Sequence, residues 1–185
     1  LAHSMGGLIV RYAAMYGRAD LPKGKPRPTW IGTRYFNKVF FFGTPNEGSV
    51  DAFQTILEGR SSLGGATNLP FVRDLSPLDI ATMPSVFQLL PHENTLRAFD
   101  ENLQPMKIDI YDIETWRKYN WAVFNQNEDY LREFSTAERG RFEEYFSITL
   151  SRAKKFHEAL RAKTRTKISL DFYAVGSSCG ETLDG

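Results

Sequence analysis

A serine between small residues, followed at once by an amphipathic segment, constrains this chain more than any other feature. Residues 2–6 read Ala-His-Ser-Met-Gly, the small-x-Ser-x-Gly pattern of a nucleophile elbow, with Ala2 where the first glycine usually stands. In an elbow a strand ends, the backbone turns sharply on the serine and a helix begins. Because the turn leaves no room on its flanks, we expect small residues to be needed at Ala2 and Gly6. Ser4 is the candidate nucleophile, and the backbone N–H of Met5 is the candidate oxyanion donor.

The residues after the serine have the spacing of a helix with one apolar face. Residues 5–16 carry this pattern, and Gly17 is a good stop because glycine tolerates the left-handed conformation at a helix end. The alternative is a serine that stands by chance at a loop–helix junction; the two glycines and the immediate helix favour the elbow. Only Leu1 and Ala2 remain before the turn, where a strand of about five residues is expected. We therefore expect the chain to be part of a longer one.

Composition restricts the class of protein. The chain has 185 residues, of which 42% are apolar and 24% charged, and its net charge of +1 argues against nucleic acid as the main partner. It has no run of 18 apolar residues, so we expect no transmembrane segment. The single cysteine, Cys179, excludes an internal disulfide and a multi-cysteine zinc site, and its neighbours do not suggest a nucleophile. We expect neither a cofactor nor a metal ion.

Strands and helices alternate along the chain as in an α/β fold. The apolar run Val39–Phe42 predicts a strand buried on both faces, and residues 167–175 predict another. More than a hundred residues separate these strands, whereas a plain crossover needs about a dozen, so we expect a helical cap or lid. We divide the chain into a partial core (1–58), a cap (59–135) and a final unit (136–185). Its long helix spans about 137–163, with a buried stripe of Phe142, Phe146, Leu150, Ala153, Phe156 and Leu160.

Four segments, in order, resemble the lecithin:cholesterol acyltransferase family of α/β hydrolases, especially its bacterial members. The first two are Ala-His-Ser-Met-Gly-Gly-Leu-Ile-Val-Arg-Tyr at residues 2–12 and Phe-Gly-Thr-Pro-Asn-Glu-Gly-Ser at 42–49. These two alone would fit many lipases. Met-Pro-Ser-Val-Phe-Gln-Leu-Leu-Pro at 83–91 and Tyr-Asp-Ile-Glu-Thr-Trp at 111–116 resemble cap segments of the family and make the match specific.

The resemblance implies an α/β-hydrolase fold, partial and starting at the elbow, with a helical cap. It implies that a serine takes an acyl group from a lipid or other ester and passes it to an alcohol or to water. Ser4 is then the nucleophile and Met5 the oxyanion donor, while the acid Asp and the His of the triad are expected outside this chain. On that expectation residues 1–185 alone are inactive. We also expect an apolar cleft for the acyl chain, lined by aromatic residues of the segment 86–124.

Other polar residues are weaker candidates. His92 is a remote candidate for the base, and His157 is expected on the surface of the long helix. His3 is expected to pack or hydrogen-bond within the sheet, and Asp184 is taken as a loop residue. The basic residues of 154–167 are expected to form a solvated helix face, with peripheral contact to a lipid surface as the alternative.

Two other functions stay open. One is a carboxylesterase or lactone hydrolase of the same fold, which the fate of the acyl group would distinguish. The other is a hydrolase-like binding module without activity, since the chain offers no convincing acid and base after Ser4.

Overall fold

The computed structural model describes residues 1–60, 74–92, 95–125, 134–164 and 168–177, and these form a mixed α/β fold with a small parallel sheet. The strands are β1 (Ala2–His3), β2 (Lys38–Phe42), β3 (Ala98–Phe99), β4 (Pro105–Met106) and β5 (Asp171–Val175). The α-helices are α1 (Met5–Tyr16), α2 (Val50–Glu58), α3 (Pro77–Ala81), α4 (Pro84–Phe87), α5 (Ile113–Lys118) and α6 (Thr136–Leu160). Two short 3-10 helices span Ile31–Tyr35 and Ala122–Phe124.

The parallel sheet has the strand order β1-β2-β5. Phe41 lies opposite Ala2 on one side and Ala174 on the other. Since all three strands are parallel, their carboxyl ends meet at one edge of the sheet, where Ser4 and Gly43 begin the connections that follow β1 and β2. The antiparallel pair of β3 and β4 is separate from this sheet.

Strand β2 is covered on one face only, which corrects the prediction that Val39–Phe42 is buried on both. Val39 and Phe41 are buried against α1, whereas Phe40 is half-buried and Phe42 is exposed. Among the described residues the second face has little cover beyond the neighbouring strand, where the Phe40 ring stacks on Tyr173 at 4.7 Å between centroids. The predicted strand at 167–175 is found as the shorter β5.

The largest apolar cluster lies in the segment between β2 and β5, and we call it the cap cluster. Its centre is Trp116, whose indole N–H donates to the carbonyl of Ile110 at 2.7 Å and whose ring meets three other aromatic rings edge-on. The buried members are Ile56, Ile80, Ala81, Phe87, Leu90, Ile110, Tyr111, Trp116, Ala122, Val123, Phe146, Leu150 and Ala153.

Helix α6 joins the cap cluster to the elbow helix. A capping box of Ser135 and Glu138 starts it, and its predicted stripe is confirmed. The helix packs in the cap cluster from Phe142 to Ala153, while Phe156 and Leu160 pack on α1. The hydroxyl of Tyr16 in α1 donates to the carbonyl of Ala159 at 2.9 Å. The division at 58/59 and 135/136 stays a prediction.

Candidate active site

Ser4 occupies a left-handed, strained turn between β1 and α1. Its φ is 52° and its ψ is −134°, a region that residues with a side chain rarely adopt and that costs about 1–3 kcal/mol. The Ser4 N–H donates to the carbonyl of Phe42 at 3.0 Å, which ties the turn to the end of β2. The strand, sharp turn and immediate helix predicted from residues 2–16 are therefore all present.

The Ser4 hydroxyl and the Met5 N–H are not used by hydrogen bonds within helix α1. The Ser4 side chain does not cap α1, although serine at this position commonly does so, and the residue is half-exposed. Met5 is the first residue of α1, so its N–H belongs to the helix-end donors that have no partner within the helix. The roles of Ser4 and Met5 in catalysis stay predictions.

The close contact behind the elbow is at Gly7, which corrects the expectation that Gly6 is the crowded position. A Cβ placed on Gly6 would meet nothing within 4 Å in the described part of the chain. A Cβ on Gly7 would lie 2.0 Å from Oγ1 of Thr44. The reason is that the loop after β2 runs against the face of α1 that carries Gly7.

This loop, residues 43–49, is held to α1 and α6 by the guanidinium of Arg11. One nitrogen of Arg11 donates to Oδ1 of Asn46 at 2.6 Å, and the other donates to the carbonyl of Leu160 at 3.0 Å. Burial lowers the pKa of Arg11, and the nearby charge of Glu47 partly opposes that shift. The Arg11 side chain therefore links three segments that are far apart in the sequence.

The same loop is joined to the cap by Glu47 and His92. The carboxylate of Glu47 bonds Nε2 of His92, and Nη1 of Arg161 donates to Nδ1 at 3.2 Å. The hydroxyl of Thr95 donates to the Glu47 carbonyl at 3.0 Å. His92, the remote candidate for the base, is 4% exposed, and both of its ring nitrogens already have these partners. The structure thus places His92 in a polar network between loop and cap.

His157 is buried, not on the helix surface as expected. Its ring packs near His92, Tyr111 and Phe156, and only 3% of the residue is exposed. Burial is the main reason that its pKa falls from 6.5 to about 4, and the charge of His92 adds to the shift. The sequence carried a signal for this burial, because His157 follows Leu150 by seven residues on the apolar face of α6.

The remaining candidates lie apart from this network or outside the described residues. His3 is exposed, which corrects the expectation that it packs or bonds within the sheet. Successive side chains of a strand point to opposite faces, and in β1 it is Ala2 that packs under α1. Cys179 and Asp184 lie outside the described residues.

The expected acyl cleft is not built from the central cap aromatics. Phe87 and Trp116 are fully buried inside the cap cluster, where both rings pack against Phe146. They belong to the core and do not line a cleft. A cavity of about 500 Å³ opens elsewhere in the cap, with Phe124 and Phe142 in its wall beside Arg117.

Searches against protein-family models, curated proteins and solved structures find no match to this chain.

In the part of the chain that the structure describes, no helix is both long and apolar enough to cross a bilayer. Within the same residues, no three His, Cys, Asp or Glu side chains are grouped so that they could hold a metal ion.

Proposed function

We propose that this chain carries the nucleophilic serine of an α/β hydrolase that transfers or hydrolyses the acyl group of an ester lipid. Ser4 gives its hydroxyl proton to the triad base and attacks the ester carbonyl, and the N–H of Met5 donates to the oxyanion that develops. The ester C–O bond then breaks, the alcohol leaves with that proton, and an acyl-serine remains. The acyl group then passes to an alcohol or to water. The acid and base of the triad come from outside residues 1–185 in this proposal.

The conformation of Ser4 is the observation that carries the proposal. A strained left-handed residue is kept only where the surrounding structure enforces it, and such residues concentrate at functional sites. Here the strain falls on the one residue that the motif identifies as nucleophile, between a parallel strand and a helix that begins at the next residue. The turn therefore presents a hydroxyl and a helix N-terminus side by side.

Contacts between the four segments that resemble the acyltransferase family also support the proposal. Residues 42–49 contact the elbow helix through Asn46, and Ser49 donates its N–H to the carbonyl of Leu89 at 2.7 Å. Leu90 in turn accepts a hydrogen bond from the Tyr111 hydroxyl at 3.1 Å. The segments are thus connected in one path from elbow to cap, although they are spread over 115 residues of sequence.

Labelling with a fluorophosphonate probe tests the proposal. The complete polypeptide that carries this sequence is labelled, digested and mapped, alongside the variants Ser4→Ala and Ser151→Ala. Ser151 is an exposed serine of α6 and serves as the matched control. We expect label on Ser4, its loss in Ser4→Ala and its retention in Ser151→Ala. A folded protein that takes up no label would instead favour a binding module without activity.

The products of the acyl-serine distinguish the remaining alternatives. With a phospholipid donor and a lipid alcohol present, a transferase yields a new ester and a lipase yields free fatty acid. Turnover of short-chain esters or lactones, without turnover of the lipid, would favour the carboxylesterase or lactone hydrolase.

A further inference from the structure

The face of α1 that begins at Ser4 is the face that holds the loop after β2. Ser4, Gly7 and Arg11 are spaced at i, i+3 and i+7, so they lie along one side of the helix. Gly7 receives Thr44 in close contact, and Arg11 binds Asn46 one turn further on. The loop is therefore fixed along two turns of the helix that carries the nucleophile at its start.

Arg11 forms a partly buried bridge in this contact. Its two nitrogens bond two acceptors that belong to different segments, the side chain of Asn46 and the main chain at the end of α6. The carbonyl of Leu160 is one of the helix-end acceptors that have no partner within α6. A planar guanidinium can reach both acceptors at once, whereas a lysine offers a single point of charge.

The other end of the loop is fixed from the cap side. Glu47 bonds His92, and a Cβ on Gly48 would lie 2.3 Å from the Cα of Pro91. The loop is held between the elbow helix and the cap, with Arg11 on the elbow side. A shift of the loop would move the carbonyl of Phe42, which is bonded to the Ser4 N–H at the loop's start.

We propose that Arg11 is a positioning residue, which holds Ser4 in its reactive turn by fixing the loop of Asn46 against the elbow helix. This inference rests on the proposed function of Ser4. In this proposal Arg11 acts through the loop and not on the substrate. Small displacements of a reacting group can reduce rate by up to about a hundredfold, so the effect falls on the chemical step.

A double-mutant cycle tests the proposal on the complete polypeptide, with saturation kinetics of fluorophosphonate labelling as the readout. The variants are Arg11→Met, Asn46→Leu and the double variant, measured where urea titration shows each to be folded. We expect each single variant to lower the maximal labelling rate about tenfold or more while half-saturation stays unchanged. The double variant should lose no more than Arg11→Met alone, because that variant already removes the bond to Asn46 together with the bond to Leu160.

Two further variants separate positioning from general stability. Asn46→Asp keeps an acceptor for Arg11 and should label at the wild-type rate, whereas Arg11→Lys should remain slow. The exposed pair of Arg152 and Asp20, 3.3 Å apart, offers the control Arg152→Met, which should label at the wild-type rate.

The outcomes distinguish this inference from the proposed function. If the wild type carries no label on Ser4, the proposed function fails and the inference fails with it. If the wild type is labelled but folded Arg11→Met reacts at the same maximal rate, or the two losses add, the inference alone is overturned.

Discussion

The cap cluster and the parallel sheet bury their aromatic side chains to very different degrees. In the cap cluster Trp116, Phe87 and Phe146 are fully buried, and their rings meet edge to face. Strand β5 is exposed at all five positions, even though it pairs fully with β2. Strands of a parallel sheet are normally covered on both faces. Side-chain burial therefore stabilises the cap, whereas, in the part of the chain that the structure describes, backbone pairing and helix α1 stabilise the sheet.

Charged side chains, partly buried at Arg11 and largely exposed at Glu47, lie where these two regions meet. Arg11 links α1 to the loop after β2, and Glu47 links that loop to His92. His157 is buried behind His92, with its ring centroid 6.4 Å away. The contact between sheet and cap thus combines these polar groups with an apolar cluster in which Phe156 and Leu160 of α6 pack on α1, while each region also has its own apolar cluster.

The largest expected effect is the loss of an aromatic ring from the cap. Trp116→Ala should lower the free energy of unfolding by about 4 kcal/mol, since it leaves a cavity and removes the hydrogen bond to Ile110. Phe172→Ala in β5 should cost about 1 kcal/mol, because that residue is 37% exposed before mutation. Urea unfolding of both variants measures the difference, and equal losses would contradict the contrast between cap and sheet.

The second largest expected effect is a loss of stability in acid, caused by His157 at the contact between the parallel sheet and the cap cluster. The pKa of His157 is about 4 when folded and 6.5 ordinarily, so the unfolded chain binds a proton at this position before the folded chain does. The resulting destabilisation of the folded state is absent above pH 6.5 and grows as the pH falls. Near pH 4 it lowers the free energy of unfolding by about 3 kcal/mol. The groups that face His157 are His92, Arg11, Glu47 and the backbone of Gln88.

The comparison of two histidine variants isolates that contribution. His157→Gln should flatten the decline of the urea midpoint between pH 7 and pH 4, because glutamine does not titrate. His3→Gln should keep the wild-type slope, since His3 is exposed. If the urea midpoint of His157→Gln declined with pH as steeply as that of the wild type, protonation of His157 would not be what destabilises the folded state in acid.

The smallest effect concerns the two glycines of the elbow helix. Gly7→Ala should cost about 2 kcal/mol, because the new Cβ would overlap Thr44. Gly6→Ala should be neutral or stabilise by about 0.5 kcal/mol, since alanine favours helix and the position has space among the described residues. Thermal unfolding of both variants measures the difference. If Gly6→Ala lowered the stability more than Gly7→Ala, the tight contact would lie at Gly6, the position that the motif indicates.

Local patterns predicted two of the helices, α1 and α6. The bounds of α1 follow from its apolar spacing and Gly17. The confirmed stripe of α6 follows from its spacing alone. Each of these signals acts within about four residues, through backbone hydrogen bonds and side-chain spacing.

The sequence by itself determined helices α1 and α6, the strand β2 and the turn at Ser4, because short-range sterics and periodicity decide them. Only the tertiary structure decided that Gly7 is crowded, that Glu47 pairs with His92 and that His157 lies beside His92. Each depends on a partner 37 or more residues away. No local pattern encodes which distant segment will cover a side chain, and that cover sets the space, burial and charge around the candidate site.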